Sequence, residues 1–291
     1  MLRRDFLRRT ASGLAATWVA ARTARAARFA LPAVSGKYRA HDDVVLGRTG
    51  IRTSRLAMGT GTIGGGGESN QTRMGNNPFV KLLLDGYNEN GLRFFDTADS
   101  YGSHPYVKAA IKQLPRDKVV VMTKSDHRDP KVMRADLDRF RKELGTDYID
   151  ILLIHCVTED DWTTRYRGIM DVLSEAKQQG IIRAHGVSCH SIEALRAAAA
   201  ASEWVDVDLV RLNPVGAHMD AGSDTVISVV QQMRKAGTGI VGMKILGQGA
   251  MRDRPSDAVR FALGSGVLDA FTIGAESQSE QNDLTRRIAA A

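Results

Sequence analysis

Short apolar runs alternate with amphipathic stretches along most of this chain. The runs end at polar or glycine positions, as expected of strands that are buried on both faces of a parallel sheet. They predict eight strands, at residues 55–59, 92–96, 118–122, 149–154, 183–187, 207–211, 239–243 and 269–273.

The stretches between these runs carry apolar residues at helical spacing. One stripe is formed by Val132, Leu137, Phe140 and Leu144 and stops before Gly145, a residue type that commonly follows a helix. Helices are predicted near residues 78–89, 104–114, 130–144, 163–179, 191–202, 223–237, 255–264 and 278–290. Eight strand–helix pairs predict a single-domain α/β fold, a (β/α)8 TIM barrel. A doubly wound sheet is the alternative, because it shows the same alternation.

Four polar residues stand at or just after the ends of predicted strands. Asp96 ends the second strand and Tyr101 follows it, while Lys124 and His155 follow the third and fourth strands. The C-terminal strand ends of a parallel barrel open onto one face, where active sites are built. An acid, a phenol, an amine and an imidazole would meet there, and together they are suited to moving a proton onto a carbonyl oxygen.

A glycine-rich segment follows the first predicted strand. Residues 59–64 match G-x-G-x-x-G, but a dinucleotide fingerprint requires a helix to begin there. Three more glycines, Glu68 and Ser69 follow instead, and these are loop residues. The segment is therefore predicted to be a flexible loop over the barrel mouth.

Composition argues against a nucleic-acid partner. The chain has 291 residues, 43% hydrophobic and 25% charged, with a formal net charge of +7. Six arginines and one aspartate in residues 1–26 account for +5 of that charge, which leaves +2 for the remainder. A nearly neutral body does not favour binding to a phosphate backbone.

The basic segment resembles a twin-arginine export signal. Arg3-Arg4-Asp5-Phe6-Leu7 precedes a mildly apolar stretch at residues 11–21, and Ala24-Arg25-Ala26 offers a cleavage site. The stretch is too short to span a bilayer, so no membrane span is expected in the mature chain. We expect residues 1–26 to be a signal peptide read by the twin-arginine translocation machinery, 27–43 a linker, and 44–291 an exported, periplasmic barrel. A basic disordered tail is the alternative.

From about residue 44 to the C-terminus the chain resembles the aldo-keto reductases. The most specific motif is Phe95-Asp96-Thr97-Ala98 followed by Tyr101-Gly102. Further motifs occur in the family's order: Leu46-Gly47-Arg48-Thr49-Gly50-Ile51, Thr123-Lys124, Leu144-Gly145-Thr146-Asp147-Tyr148-Ile149-Asp150, Leu153-Ile154-His155, Gly180-Ile181-Ile182-Arg183 and Gly186-Val187-Ser188.

The resemblance implies a role for each of the four polar residues. Tyr101 would be the general acid, and Lys124 would lower its pKa from about 10 by favouring the phenolate. Asp96 would keep Lys124 charged and oriented. His155 would position or polarise the substrate carbonyl.

The resemblance also implies a nicotinamide cofactor, NAD(P). The expected binding residues are Gly59, Thr60, Asp96, Ser188, Cys189, Met243, Lys244, Leu246, Gly247, Gly274, Glu276, Ser277 and Gln281. Three positions depart from the family pattern: Cys189 stands where an asparagine is usual, Leu209 where a glutamine is common, and Met243 where an aromatic residue is frequent. Glu276 would repel a 2′-phosphate, which favours NAD(H) over NADP(H).

The two cysteines are too few for a disulfide framework. His155, Cys156, His185, Cys189 and His190 have side chains that can bind metals, but their spacing matches no zinc pattern, and no metal site is predicted. We expect Cys189 to line the cofactor site and Cys156 to pack outside it.

The expected activity is reversible hydride transfer between the nicotinamide and a small carbonyl or alcohol, which includes sugars. Two alternatives are a catalytically silent nucleotide-binding barrel that acts as a sensor or partner module, and a metal-dependent barrel hydrolase.

Overall fold

A computed structural model of the chain describes residues 38–291. The predicted signal peptide and the first part of the predicted linker lie outside these residues. The linker was expected to reach residue 43, but Ala40 is buried in the core. The packed structure therefore begins before residue 44.

A hairpin opens the described chain and closes the bottom of the barrel. Strand β1 (Asp43–Val45) pairs antiparallel with β2 (Arg52–Ser54). Leu46 and Ile51 lie between them and are fully buried in the core inside the barrel. These two side chains fill the N-terminal end of the barrel.

Eight parallel strands form the closed barrel. They are β3 (Leu56–Gly59), β4 (Phe94–Asp96), β5 (Val120–Ser125), β6 (Ile149–Val157), β7 (Ile182–Cys189), β8 (Val207–Arg211), β9 (Gly239–Met243) and β10 (Ala270–Ile273). Each pairs with the next along the chain, and β10 pairs with both β9 and β3. This closure confirms the barrel and excludes the doubly wound sheet.

Helices surround the barrel. They are α1 (Asn70–Arg73), α2 (Asn76–Asn88), α3 (His104–Ile111), α4 (Pro130–Leu144), α5 (Trp162–Arg165), α6 (Arg167–Gln178), α7 (Ile192–Ala200), α8 (Ser223–Lys235), α9 (Pro255–Gly264) and α10 (Gln278–Ala289). Among residues 38–291, no helix combines the length and apolarity needed to cross a membrane.

The single helix predicted over 163–179 is wrong, because two helices, α5 and α6, meet there at Tyr166. This residue has non-helical dihedral angles (φ −104°, ψ 21°). Its ring is buried and its phenol donates to Glu159 Oε1 at 2.6 Å. A tertiary contact therefore breaks a stretch whose own pattern is continuous.

Side-chain alternation along the strands creates two cores. The inner core includes Phe94, Met122, Leu153 and Ala184. The residues next to them on the same strands, such as Phe95, Val121 and Leu152, pack outward against the helices. Successive strand residues point to opposite faces. A residue two positions after one of these inner-core residues therefore lies on the same inner face, at the C-terminal mouth of the barrel.

Candidate active site

Three of the four predicted catalytic side chains lie on the inner face of adjacent strands. Asp96 follows Phe94 by two positions on β4, Lys124 follows Met122 on β5, and His155 is on the inner face of β6. All three are at most 5% exposed. The alternation of apolar residues along each strand thus brings these polar side chains together at the C-terminal end.

Asp96 and Lys124 form a buried ion pair. The Lys124 ammonium donates to Asp96 Oδ1 at 2.6 Å and to the Thr97 carbonyl at 2.7 Å. Burial alone would lower the pKa of Lys124, but the carboxylate of Asp96 and the phenol of Tyr101 outweigh it, and the pKa is raised. Lys124 is therefore a fixed positive charge at neutral pH.

Tyr101 ends a 3₁₀ turn, Asp99–Tyr101, which begins three residues after the end of β4. Its hydroxyl lies 3.5 Å from His155 Nε2, and the Lys124 ammonium lies 4.9 Å from the centre of its ring. Burial raises the pKa of Tyr101 above its usual value, and Lys124 only partly opposes this effect. The effect of Lys124 on this pKa has the predicted direction, but burial outweighs it and the net shift is upward, so Tyr101 carries a proton at neutral pH.

The glycine-rich segment packs against the Tyr101 ring. A Cβ atom on Gly61 would lie 2.2 Å from Tyr101 Cε2, and one on Gly64 would lie 2.7 Å from Cδ1. Glycine is required at a position where backbone and another group approach so closely. The segment therefore holds the tyrosine in place, a role that the sequence pattern did not indicate.

A chain of buried hydroxyls supports the turn that carries Tyr101. Ser103 Oγ lies 2.5 Å from Thr97 Oγ1 and 2.8 Å from Thr60 Oγ1. Thr60 also donates to the Asp96 carbonyl at 2.9 Å. Thr60, which was predicted to bind the cofactor, thus has its hydroxyl engaged within the protein. The neighbouring His104 bonds Thr123 Oγ1 at 2.8 Å, and no local pattern could have indicated this contact.

His155 is neutral at physiological pH. Burial lowers its pKa, and Asp126 only partly opposes this shift. Its Nδ1 atom lies 2.9 Å from Asp126 Oδ1. Sequence reasoning did not select Asp126, although its place two residues after Lys124 at a strand end was a usable signal.

Ser188 offers a free hydroxyl on the inner face of β7. Its side chain is fully buried, and among the described residues its Oγ has no hydrogen-bond partner. A buried polar atom of this kind normally has a partner. Ser188 therefore fits a ligand group that can bond to a hydroxyl, such as the carboxamide of a nicotinamide.

Cys189 does not share that face, which corrects its predicted place in the cofactor site. Its thiol packs in the outer core and donates to Asp208 Oδ2 at 3.2 Å. Adjacent strand residues point to opposite faces, so Cys189 cannot stand beside the Ser188 hydroxyl. Cys156, expected to pack outside, is exposed at the mouth instead.

Leu209 and Met243 both belong to the inner core. Met243 is 8% exposed and ends β9, where its thioether can form an apolar surface for a flat ring. Lys244 follows with φ +55°. Burial and the charge of Arg211 lower its pKa, and no carboxylate of the described residues pairs with it.

The turn after β9 contains Leu246 and Gly247. Gly247 has φ +57°, and its N–H donates to the Lys244 carbonyl at 2.8 Å. A Cβ atom on Gly247 would lie 2.9 Å from Ala217 Cβ. The turn is thus fixed by a tight backbone position beside Lys244.

The loop after β10 contains three more of the predicted cofactor residues, Gly274, Glu276 and Ser277. Gly59 and Gly274 approach closely, because a Cβ on Gly59 would lie 2.9 Å from Gly274 N. The Glu276 carboxylate is exposed and accepts from Asn70 Nδ2 at 2.6 Å. Ser277 Oγ caps α10 by accepting from Glu280 N.

Gln281 lies away from the mouth, contrary to its predicted place in the cofactor site. It is buried between α2 and α10, and its amide donates to Asn90 Oδ1 at 3.2 Å. Helical spacing explains this, since Gln281 lies on the buried stripe of α10 with Leu284 and Ile288, three and seven positions further along.

Comparison with known proteins agrees with this arrangement. The chain is 30% identical over 168 residues to the NADH-specific methylglyoxal reductase of Escherichia coli, covering 50% of this chain and 51% of the relative. It is 33% identical over 162 residues to the aldo-keto reductase YhdN of Bacillus subtilis, covering 50% of this chain and 46% of that protein. The chain thus spans about half the length of these curated relatives.

Solved structures show the same fold. A Pseudomonas aeruginosa protein classed with the aldo-keto reductases superposes with a TM-score of 0.72 at 20% identity, covering 87% of this chain and 98% of the other. The holo form of an aldo-keto reductase from Bacillus halodurans superposes with a TM-score of 0.67 at 18% identity, covering 86% of this chain and 91% of the other. The sequence profile of the Aldo/keto reductase family matches residues 55–265, and the chain belongs to this family.

Proposed function

We propose that the protein is an NAD(P)-dependent oxidoreductase that interconverts a small carbonyl compound and its alcohol. The observation that carries the proposal is the meeting of Asp96, Tyr101, Lys124 and His155 at the C-terminal end of the barrel. Family membership supports it. The name of the Escherichia coli relative points to methylglyoxal, a small 2-oxoaldehyde, as a first substrate to test.

Tyr101 and His155 can act on the same substrate oxygen. Their polar atoms are 3.5 Å apart, so a carbonyl oxygen between them would accept from both, provided that the neutral imidazole carries its proton on Nε2. In reduction, the Tyr101 hydroxyl would give its proton to this oxygen. The ammonium of Lys124 would then stabilise the phenolate that remains, and Asp96 keeps that ammonium in place.

The cofactor, when bound, would supply the hydride that the carbonyl carbon accepts. Ser188 has the free hydroxyl suited to the nicotinamide carboxamide, and Met243 the apolar surface suited to its ring. Lys244 has a positive charge suited to the diphosphate. Cys189 and Gln281 have no part in this assignment.

The cofactor is proposed to be NAD(H) rather than NADP(H). Glu276 is an exposed carboxylate in the loop after β10, and it would repel a 2′-phosphate placed beside it. The Escherichia coli relative is named as NADH-specific, which agrees with this preference.

The activity is tested by following NADH oxidation in the presence of methylglyoxal and other small aldehydes and ketones. Turnover that requires both nicotinamide and carbonyl supports the proposal. Binding of nicotinamide without turnover of any carbonyl would instead favour the silent nucleotide-binding barrel.

We also propose export of the folded chain by the twin-arginine machinery. The support is the order Arg3-Arg4-Asp5-Phe6-Leu7 before a weakly apolar segment. Free nicotinamide nucleotide is expected to be scarce outside the cytoplasm, so the barrel would load its cofactor before export and retain it. Arg3→Lys with Arg4→Lys should leave a folded barrel inside the cell. Unchanged export of this double variant would reject the proposed route, and export of a nucleotide-free barrel would reject cofactor retention.

A further inference from the structure

A second group of donor side chains stands at the barrel mouth. Asp126, His155 and Cys156 each place one ligand atom within 4.8 Å of the other two. Asp126 directly follows β5, and the other two residues are neighbours on β6. Adjacent residues of a regular strand point to opposite faces, so this convergence requires an irregularity.

A β-bulge in β6 provides that irregularity. Ile154 pairs with Val187 and Val157 with Cys189, so three steps along β6 match two along β7. Cys156 has φ +52° and an exposed side chain. A bulge leaves one residue unpaired and redirects its side chain. Here it turns the Cys156 thiol toward the mouth, next to His155.

His155 has an unused ligand atom in this group. Its side chain is almost fully buried at 4% exposure, and Nδ1 makes no hydrogen bond of acceptable geometry within the described residues. Asp126 Oδ1 lies 2.9 Å from Nδ1, and its charge opposes the lowering of the His155 pKa. Two ligand atoms this close to each other are suited to sharing a cation.

Among residues 38–291, the Asp126 carboxylate is not paired with a lysine or arginine side chain, although Lys124, Arg128 and Lys244 place positive charge near this group. The two other groups of potential ligands are Asp99–His104–Glu143 and Asp99–His127–Asp136. Arg139 already bonds Asp99, Asp136 and Glu143 at 2.7 to 3.2 Å, so a guanidinium occupies the place of a cation in both.

We propose that Asp126, His155 and Cys156 form a binding site for one divalent cation of zinc type. A carboxylate, an imidazole and a thiolate are all ligands that Zn²⁺ accepts, and three protein ligands leave a fourth position for water. Ligand atoms on a tetrahedral zinc are about 3.3 to 3.6 Å apart, so the Asp126–His155 approach of 2.9 Å needs only a small opening. The thiol would lose its proton on binding.

The site borders the proposed active site through His155 but does not depend on the proposed function. Metal binding can be measured without nicotinamide or carbonyl substrate, so a failure of either proposal is recognised separately. A bound cation would fix the His155 ring beside Tyr101. Once carbonyl turnover by the protein has been measured, we expect cation binding to change its rate.

The test is titration of the full, metal-stripped chain with Co²⁺, followed by competition with Zn²⁺ against a chromophoric chelator. We expect one equivalent to bind, with a near-ultraviolet thiolate-to-cobalt band. Cys156→Ser should abolish the band and weaken Zn²⁺ affinity by at least about tenfold. His127→Ala, which alters another group of potential ligands, is the matched control and should bind as the parent does. No stoichiometric binding, or a band that survives in Cys156→Ser, would overturn the proposal.

A second measurement does not depend on a substitution that might disturb folding. Iodoacetamide should alkylate the exposed Cys156 but not the buried Cys189, and mass spectrometry distinguishes the two. Stoichiometric Zn²⁺ should slow alkylation of Cys156 at least about tenfold, since a metal-bound thiolate is no longer free to react. Equal rates with and without Zn²⁺ would contradict the proposed site.

Discussion

The Lys124 ammonium lies 2.6 Å from Asp96 Oδ1 and has no exposure to solvent. The pair therefore stabilises the barrel end and also places a positive charge beside Tyr101.

Removing one partner of a buried ion pair leaves an uncompensated charge, which costs about 3–5 kcal/mol. Asp96→Asn should therefore lower the free energy of unfolding by about that amount in urea denaturation. A loss as small as that of an exposed control, Asp253→Asn, would contradict this account. Asp96→Asn combined with Lys124→Met should recover part of the stability, because no unpaired charge remains.

Tyr101→Phe should remove the proton donor and leave the fold intact. The hydroxyl lies 3.5 Å from His155 Nε2, and a contact of this length contributes little to stability. Its loss should lower carbonyl reduction by roughly 10²-fold or more while nicotinamide affinity stays unchanged. The measurement is steady-state NADH oxidation together with a binding titration. Near-normal turnover would exclude Tyr101 as the donor.

Gly61→Ala should reduce activity through the position of Tyr101. The added methyl would lie 2.2 Å from the tyrosine ring, so the ring or the loop must move. A misplaced catalytic group can reduce the rate about 10²-fold, and we expect a loss of at least tenfold. Gly65→Ala is the matched control, because nothing lies within 4 Å of its added methyl and its φ is not positive. Equal activities of the two variants would show that the glycine-rich loop does not position Tyr101.

Much of the fold and the core of the candidate site followed from the sequence. Strands β8 and β9 have the predicted bounds, because buried parallel strands read as continuous apolar runs. The same periodicity places Asp96, Lys124 and His155 on one face. Once strand ends are located, the convergence of these side chains follows from barrel geometry.

The remaining features depend on contacts that a local pattern does not contain. The positions of Cys156 and Cys189 were reversed, because the bulge in β6 and the side-chain alternation on β7 act together. The direction of the Tyr101 pKa shift depends on how far the ring is buried relative to its distance from Lys124. Both are properties of the packed barrel rather than of residue spacing.

Glu276→Arg should shift cofactor preference toward NADP(H). The carboxylate is exposed and accepts only from Asn70 among the described side chains, so its replacement should disturb packing little. Titrations of the parent with both cofactors should show weaker binding of the phosphorylated one, and the variant should narrow or reverse the difference. Tighter NADP(H) binding by the parent would reject the assigned preference.

Asp208 makes the protein less stable as the pH rises from about 4 to about 7. Its carboxyl is fully buried, and burial raises its pKa to about 7 from an ordinary 3.8, against the lowering effect of hydrogen bonds from Cys189. Its Oδ1 has no partner among the described residues. Between pH 4 and 7 the folded state therefore keeps a proton that the unfolded state has lost. Stability falls across this window and levels off above it, with a total change of about 4 kcal/mol.

Asp208→Asn should remove this pH dependence. The amide cannot ionise, so the variant should gain about 2–3 kcal/mol relative to the parent on going from pH 5 to pH 8. Any fixed penalty from placing an amide beside the Cys189 thiol is the same at both pH values and cancels in that comparison. The measurement is urea unfolding of both proteins at several pH values, with the exposed Asp253→Asn as the matched control. Parallel curves for parent and Asp208→Asn would mean that Asp208 is ionised in the folded protein at pH 5, and that a partner other than the Cys189 thiol stabilises its charge.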